Sequence, residues 1–164
     1  MVRAAPHKGI VFLSLFLFLG FSALQAEENK FRLGIGLEGN INTEYGLALG
    51  RSLMVDFHYF KYIITGAALT VSDDFSTFTA IEPEILARWY FYNLGFTDGG
   101  FFVQGDLGMS FAIEKDGDFA PRFLGGVSGG FRFPFHDGDY YAEPYIKTGY
   151  PLVWGFGMRM GCRF

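Results

Sequence analysis

Leu152-Val153-Trp154-Gly155-Phe156-Gly157-Met158-Arg159-Met160-Gly161-Cys162-Arg163-Phe164 closes the chain. Leu152, Trp154, Phe156, Met158, Met160, Cys162 and Phe164 alternate with Val153 and then with glycine or arginine. A repeat of two is the period of a β-strand, whose successive side chains point to opposite faces, and not that of a helix. One face of the segment is therefore greasy and the other bare or cationic. Near the other end of the alternating region, Phe31, Leu33, Ile35 and Leu37 alternate in the same way with Arg32, Gly34, Gly36 and Glu38.

Between these two segments, turn-forming clusters cut the chain into comparable pieces. The pattern predicts strands over about Tyr45–Tyr59, Tyr62–Ser72, Phe78–Asn93, Phe101–Glu114, Ala120–Phe133 and Tyr140–Lys147. The total is eight, all antiparallel, and an even number brings both chain termini to one side, the periplasmic one, as in bacterial single-chain membrane barrels. The connections near residues 39–44, 73–77, 115–119 and 148–151 then face the exterior, and all are short. Pro83 and Pro144 fall inside predicted strands, where each removes one ladder donor.

Period alone does not say which face is inside. On the polar face stand Arg32, Arg88, Arg122, Arg132, Lys147, Arg159 and Arg163 with Glu38, Asp56, Glu82, Glu84, Asp106, Glu114 and Glu143, seven bases against seven acids. That balance suits a narrow bore, because a buried charge is costly unless paired and hydrogen-bonded. Gly34, Gly36, Gly108, Gly126, Gly130, Gly155, Gly157 and Gly161 share this face. They leave space for long side chains inside eight strands and would serve nothing on a solvated surface.

The apolar face sorts along the axis. Phe57, Tyr59, Trp89, Phe91, Phe101, Phe131, Phe133, Tyr140 and Phe164 lie near one end, and Tyr45, Phe78, Phe111, Phe123 and Trp154 near the other. Aliphatic or small residues such as Leu47, Leu49, Ala67, Ile85, Val103, Leu107, Val127 and Met158 lie between. Aromatic girdles around an aliphatic band are the expected dress of a lipid-facing wall. The competing reading is a soluble, exported, lipocalin-like barrel with the apolar face inside. Arg51 resists the scheme, since its parity is lipid-facing, where a mid-membrane charge costs roughly 2–4 kcal/mol. A bulge near Gly50-Arg51-Ser52, or snorkelling, is expected to relieve it.

Residues 1–26 read as a cleavable signal peptide, and residues 27–164 as the barrel domain. Arg3 and Lys8 precede an apolar run over Gly9–Phe21, and Ser22-Ala23-Leu24-Gln25-Ala26 supplies a small-residue exit before Glu27. An uncleaved inner-membrane anchor is the alternative, but it needs about 20 apolar residues. The whole chain has 164 residues, 17 acids and 13 bases, so loss of Arg3 and Lys8 leaves 11 bases and a net charge of −6. Such a balance points away from nucleic acid.

Chemistry-bearing motifs are sparse. The lone Cys162 forms no internal disulfide and no zinc-ligand spacing is present. Gly34-Ile35-Gly36-Leu37-Glu38-Gly39 matches a dinucleotide fingerprint, but no helix opens after it, and no cofactor is expected. His58 shares the polar face with Asp56; without a serine in a strained turn, the pair reads as a lumen hydrogen bond and not as hydrolase chemistry. Glu114, Asp116 and Asp118 lie in an Asp-Gly turn lacking a calcium ligand count, so no metal is expected. Glu82, Glu84 and Arg88 are expected to form a cluster with Arg122, Arg132 or Arg159. Mutual neutralisation is the simpler reading, and a constriction for small solutes the sharper one.

With the leader ending at Ala26, the alternating strands and the closing strand Leu152–Phe164 in view, the chain resembles small outer-membrane barrels of the OmpX, OmpA-transmembrane and OmpW type. Tyr45-Gly46-Leu47-Ala48-Leu49-Gly50 and Ala87-Arg88-Trp89-Tyr90-Phe91 also resemble spirochaetal small barrels. The resemblance implies a bacterial outer-membrane location among its lipids. It also implies recognition of the terminal aromatic strand by the outer-membrane assembly machinery. A non-enzymatic structural or surface-interaction role follows, with an external or host ligand unnamed. An OmpW-like narrow channel for small or hydrophobic solutes is the alternative.

Overall fold

A computed structural model describes residues 31–42, 46–60, 62–92, 99–114 and 119–164. The expected leader, Tyr45 and the expected turn at Asp116–Asp118 lie outside the described residues, as does the side chain of Tyr59. Eight strands form one closed antiparallel barrel in sequence order: β1 (Phe31–Asn42), β2 (Gly46–Phe60), β3 (Ile63–Asp73), β4 (Phe78–Tyr92), β5 (Gly100–Glu114), β6 (Phe119–Phe135), β7 (Tyr140–Tyr150) and β8 (Leu152–Arg163). β1 closes the ring by pairing with β8 from Arg32↔Arg163 to Asn42↔Leu152.

The register fixes the shape. Starting at Phe31, paired residues run through Phe57, Thr65, Ala87, Gly105, Val127 and Thr148. Continuing the β7–β8 register by one pair leads to Trp154 and so back to β1 at Ile41, ten residues above the start. Eight strands with that stagger tilt about 40° from the axis, so each residue along a strand climbs roughly 2.5 Å. The register shifts lie near the rims, at Ile41/Asn42, His58/Phe60 and Tyr90/Tyr92.

Both internal prolines are accommodated by local gaps. The β4–β5 ladder passes from Ile81↔Phe111 to Glu84↔Gly108 without pairing Pro83, and β6–β7 passes from Gly130↔Tyr145 to Phe133↔Ala142 without pairing Pro144. On the other side of each strand the ladder continues, through Leu69↔Pro83 and Pro144↔Met158. A proline lacks one donor, so it interrupts only the neighbour that donor would have served. β7 extends to Tyr150, three residues past the expected end at Lys147.

Polarity is inside out. Ile35 and Leu47 are 65% and 70% exposed, while Arg132 and Glu143 are 0% exposed. Burying apolar surface is the usual driving force for a fold in water, so a wall of this kind belongs in hydrocarbon. Closure leaves no unpaired sheet edge along the barrel body, as a lipid-exposed backbone requires. The expected bulge at Gly50-Arg51-Ser52 does not occur. β2 pairs without a break through Arg51↔Leu37 and Arg51↔Val71, and Arg51 projects from the outer wall.

Phe78 corrects the outer girdle: it is buried and faces the bore with Ala48 and Ala80. Two-residue alternation assigns it there, because Phe78 shares parity with Glu82, Glu84 and Arg88. The belt near the termini is continuous in several places. Phe31 lies 5.8 Å from Phe57 and 6.1 Å from Phe164, Phe101 4.8 Å from Phe131, Phe131 4.4 Å from Phe133, and Trp89 6.4 Å from Phe91, all between ring centroids. Trp154, Phe123 and Tyr150 are exposed at the opposite level. Because Trp154 pairs with Ile41, ten residues above Phe31, and lies one strand short of it around the ring, the two levels stand roughly 22 Å apart, close to the height of a bacterial barrel's apolar band.

Candidate functional site

The bore is filled by side chains from strands distant in sequence. In the half nearer the termini, Asp56 Oδ2 accepts hydrogen bonds from Arg132 Nη2 at 2.8 Å and Arg88 Nη1 at 3.5 Å. Glu143 Oε1 accepts from Arg88 Nη1 at 2.7 Å and from Arg132 Nε. Gln104 Oε1 takes Arg88 Nε at 2.9 Å and Nη2 at 2.5 Å. Two carboxylates and an amide thus occupy donors of two guanidiniums, which is the condition for burying such charges at tolerable cost.

Aromatic rings close the remaining space. Arg88 lies over Phe102 at 4.5 Å, Arg132 over Tyr141 at 4.0 Å and Arg159 over Tyr145 at 4.3 Å, each measured to the ring centroid. Glycines admit these rings. A Cβ on Gly34 would lie 2.5 Å from the Tyr141 hydroxyl, and one on Gly157 would lie 2.5 Å from Tyr145. The terminal half of the bore is therefore a plug built from charge and rings together.

Toward the β1–β2 and β3–β4 hairpins the character changes. Glu38 accepts from Lys147 Nζ at 2.5 Å, Tyr145 Oη at 2.7 Å and Asn40 Nδ2 at 2.7 Å. Glu82 is held by the hydroxyls of Ser72 at 3.1 Å and Ser110 at 2.9 Å, and Glu84 by Thr70 at 3.4 Å. Asp106 accepts from Gln104 at 2.5 Å and Ser128 at 3.4 Å, linking the two halves. The expected cluster of Glu82, Glu84 and Arg88 is thus split. Arg88 pairs with Asp56 and Glu143, while the two glutamates, four and six residues up β4, rest on hydroxyls.

The cause is axial distance, since four residues along a tilted strand climb roughly 10 Å. Of the cluster's expected arginine partners, Arg132 joins Arg88 and Arg159 lies over Tyr145. Arg122 is half-buried, facing in opposite Ser110. Arg32 is buried opposite Asp56 in the β1–β2 register, and His58 faces in half-buried, two residues from Asp56. The Asp56 carboxylate is engaged through Oδ2 by Arg88 and Arg132. Overall balance conceals an uneven arrangement: bases predominate in the plug and acids above it.

Sequence reasoning passed over Tyr90, Phe102, Gln104, Tyr141 and Tyr145 as lumen residues. The signal was available. Tyr141 and Tyr145 share parity with Glu143 and Lys147, and Tyr90 with Arg88, so the residues already placed inside fix the rings beside them. Above the plug a small cavity of about 40 Å³ is bounded by Glu82, Glu84, Asp106 and Lys147, by Leu124, Gly125 and Gly126 of β6 and by the end of β7. β7 ends low. Among the described residues, Phe119–Leu124 of β6 have ladder partners only in β5, because the β6–β7 pairing begins at Gly125↔Tyr150.

A closed eight-stranded barrel, apolar outside and charged within, belongs structurally to the class of membrane β-barrels. Among solved structures the chain is similar to Neisserial surface protein A, with a TM-score of 0.61 and 10% identity over 84% of this chain and 96% of that one. It is also similar to a de novo designed transmembrane β-barrel, with a TM-score of 0.50 and 9% identity over 85% of this chain and 100% of that one. At such identities the likeness concerns the fold alone. No protein-family model and no curated protein matches the sequence.

Proposed function

We propose that the chain is a non-enzymatic integral barrel of a bacterial outer membrane, exported by residues 1–26. It presents short hairpins to the exterior in a structural or surface-interaction role. The observation that carries this reading is the plug: Arg88, Arg132, Asp56, Glu143 and Gln104 are all buried and bonded to one another across the bore. An eight-stranded interior is just wide enough for side chains to fill. The even strand count, the apolar band and the terminal aromatic strand support placement in the outer membrane through its assembly machinery. Any external ligand would meet the hairpins or the acidic mouth, and similarity to a surface protein accords with that exposure.

Planar-bilayer recording of the refolded mature chain tests the reading directly. The wild-type protein is expected to give no stable conductance steps, and an Arg88→Ala, Arg132→Ala double variant that still folds is expected to leak. Steady steps from the wild type would transfer the assignment to the narrow-channel reading of the OmpW type.

A further inference from the structure

Among the described residues, the outward positions between the two aromatic levels carry a single charge, Arg51. Its wall neighbours are apolar: Leu37 and Val71 opposite it in the β1–β2 and β2–β3 registers, Leu49 and Leu53 two residues away on β2. Leu37, Val71, Leu49 and Leu53 are themselves exposed. Arg51 makes no hydrogen bond or ion pair with another described residue. Among the described residues, Asp73 is an acid of outward parity on the adjacent strand; it pairs with Leu49, and its carboxylate receives Phe75 N and the Thr79 hydroxyl at 3.2 Å.

Depth selects the partner. Following the register from Phe31 through Phe57 and up β2, and from Phe31 round to β8, puts Arg51 roughly 4 Å below the level of Trp154. That is within the length of an extended arginine side chain, so the guanidinium reaches the edge of the hydrocarbon while its methylenes lie along the leucines. At that level the abundant anions are lipid phosphates. A planar guanidinium with paired N–H donors binds a phosphate bidentately, which a neutral or zwitterionic headgroup satisfies less well.

We propose that Arg51 is a lipid-phosphate site on the outer wall, holding an anionic phospho-headgroup of the leaflet that faces the hairpins. The proposal rests on the membrane reading given above. The test is native mass spectrometry of the full mature barrel in detergent, titrated with phosphatidic acid or phosphatidylcholine. Heat-modifiable migration of every variant is recorded alongside, so that failure of the barrel is seen separately from failure of the site. Wild-type protein is expected to retain phosphatidic acid at least about tenfold more than phosphatidylcholine. Arg51→Gln is expected to lose that preference, Arg51→Lys to keep part of it, and Arg122→Gln, which removes a charge from the bore, to keep all of it. Equal adducts in wild type and Arg51→Gln, with both still heat-modifiable, would overturn the site and leave the barrel standing. Loss of the preference in Arg122→Gln as well would overturn it too, because net charge and not Arg51 would then be the cause.

Discussion

Glu143 shows what a single residue does in this bore. One of its oxygens faces both Arg88 and Arg132, so truncation leaves two guanidiniums facing each other around one remaining acid, Asp56. Breaking a buried pair leaves an uncompensated charge, and Glu143→Ala is expected to destabilise the barrel by about 3–5 kcal/mol. Urea titration of the refolded protein in lipid measures this, and a shift below about 1 kcal/mol would show that the plug is not a structural unit. Gly157 tests the space around the rings. Its added Cβ would meet Tyr145 at 2.5 Å and the Leu37 carbonyl at 2.9 Å, one of them rigid backbone. Gly157→Ala is expected to cost about 1–3 kcal/mol by the same titration.

Glu84 is a contrasting case. It is buried against the Thr70 hydroxyl with no salt-bridged cation among the described residues, so its charge is poorly compensated. Glu84→Gln keeps the shape and removes the charge, and is expected to raise stability by about 1 kcal/mol. A loss of similar size would mean that Lys147, across the bore, already compensates the carboxylate.

At the scale of elements, the hairpins set the register that puts these residues together. In the β3–β4 connection, Asp74 accepts from Ser76 N at 2.9 Å, Thr77 N at 2.8 Å and Phe78 N at 3.0 Å, while Phe75 adopts a φ of 63°. Although desolvation pushes the other way, hydrogen bonds from the Thr77 hydroxyl and from the backbone of Phe78, Ser76 and Thr77 hold the Asp74 carboxyl well below the usual carboxylate range. The hairpin is therefore expected to keep its shape through mildly acidic pH. Asp74→Ala removes the acceptor, and limited proteolysis is expected to nick the variant between Asp73 and Phe78 at least several-fold faster than wild type. Equal rates would show that the ladder alone fixes the turn. At the β6–β7 turn, His136 and Asp137 have φ values of 53° and 58° beside Gly138 at 91°. This is the left-handed pairing that tight hairpins favour, and the Asp137-Gly138 step marks it in the sequence.

For the whole molecule, closure and polarity make one joint prediction. Mature protein in detergent should migrate differently with and without boiling and give a strand-dominated circular dichroism spectrum. Heat-independent migration would count against a closed barrel. Tags placed in the connections at 73–77 and 115–119 should be reached by labels added to intact cells. Labelling confined to lysed cells would reverse the orientation in the membrane.

Strand number, antiparallel order and the polar or apolar identity of each face were legible in the chain, because a period of two projects directly onto the two sides of a closed wall. Even the lumen rings Tyr141 and Tyr145 could have been assigned by parity with Glu143. What parity does not contain is height. Whether Arg88 meets Glu84 or Glu143, and whether Arg51 sits at mid-membrane or within reach of the headgroups, depends on a ten-residue stagger that emerges only when eight registers close into a ring. Sequence distance along one strand becomes axial distance through the tilt, and partners come from opposite walls. The composition of the bore was thus written locally, while its division into a basic plug and an acidic mouth was decided by the geometry of closure.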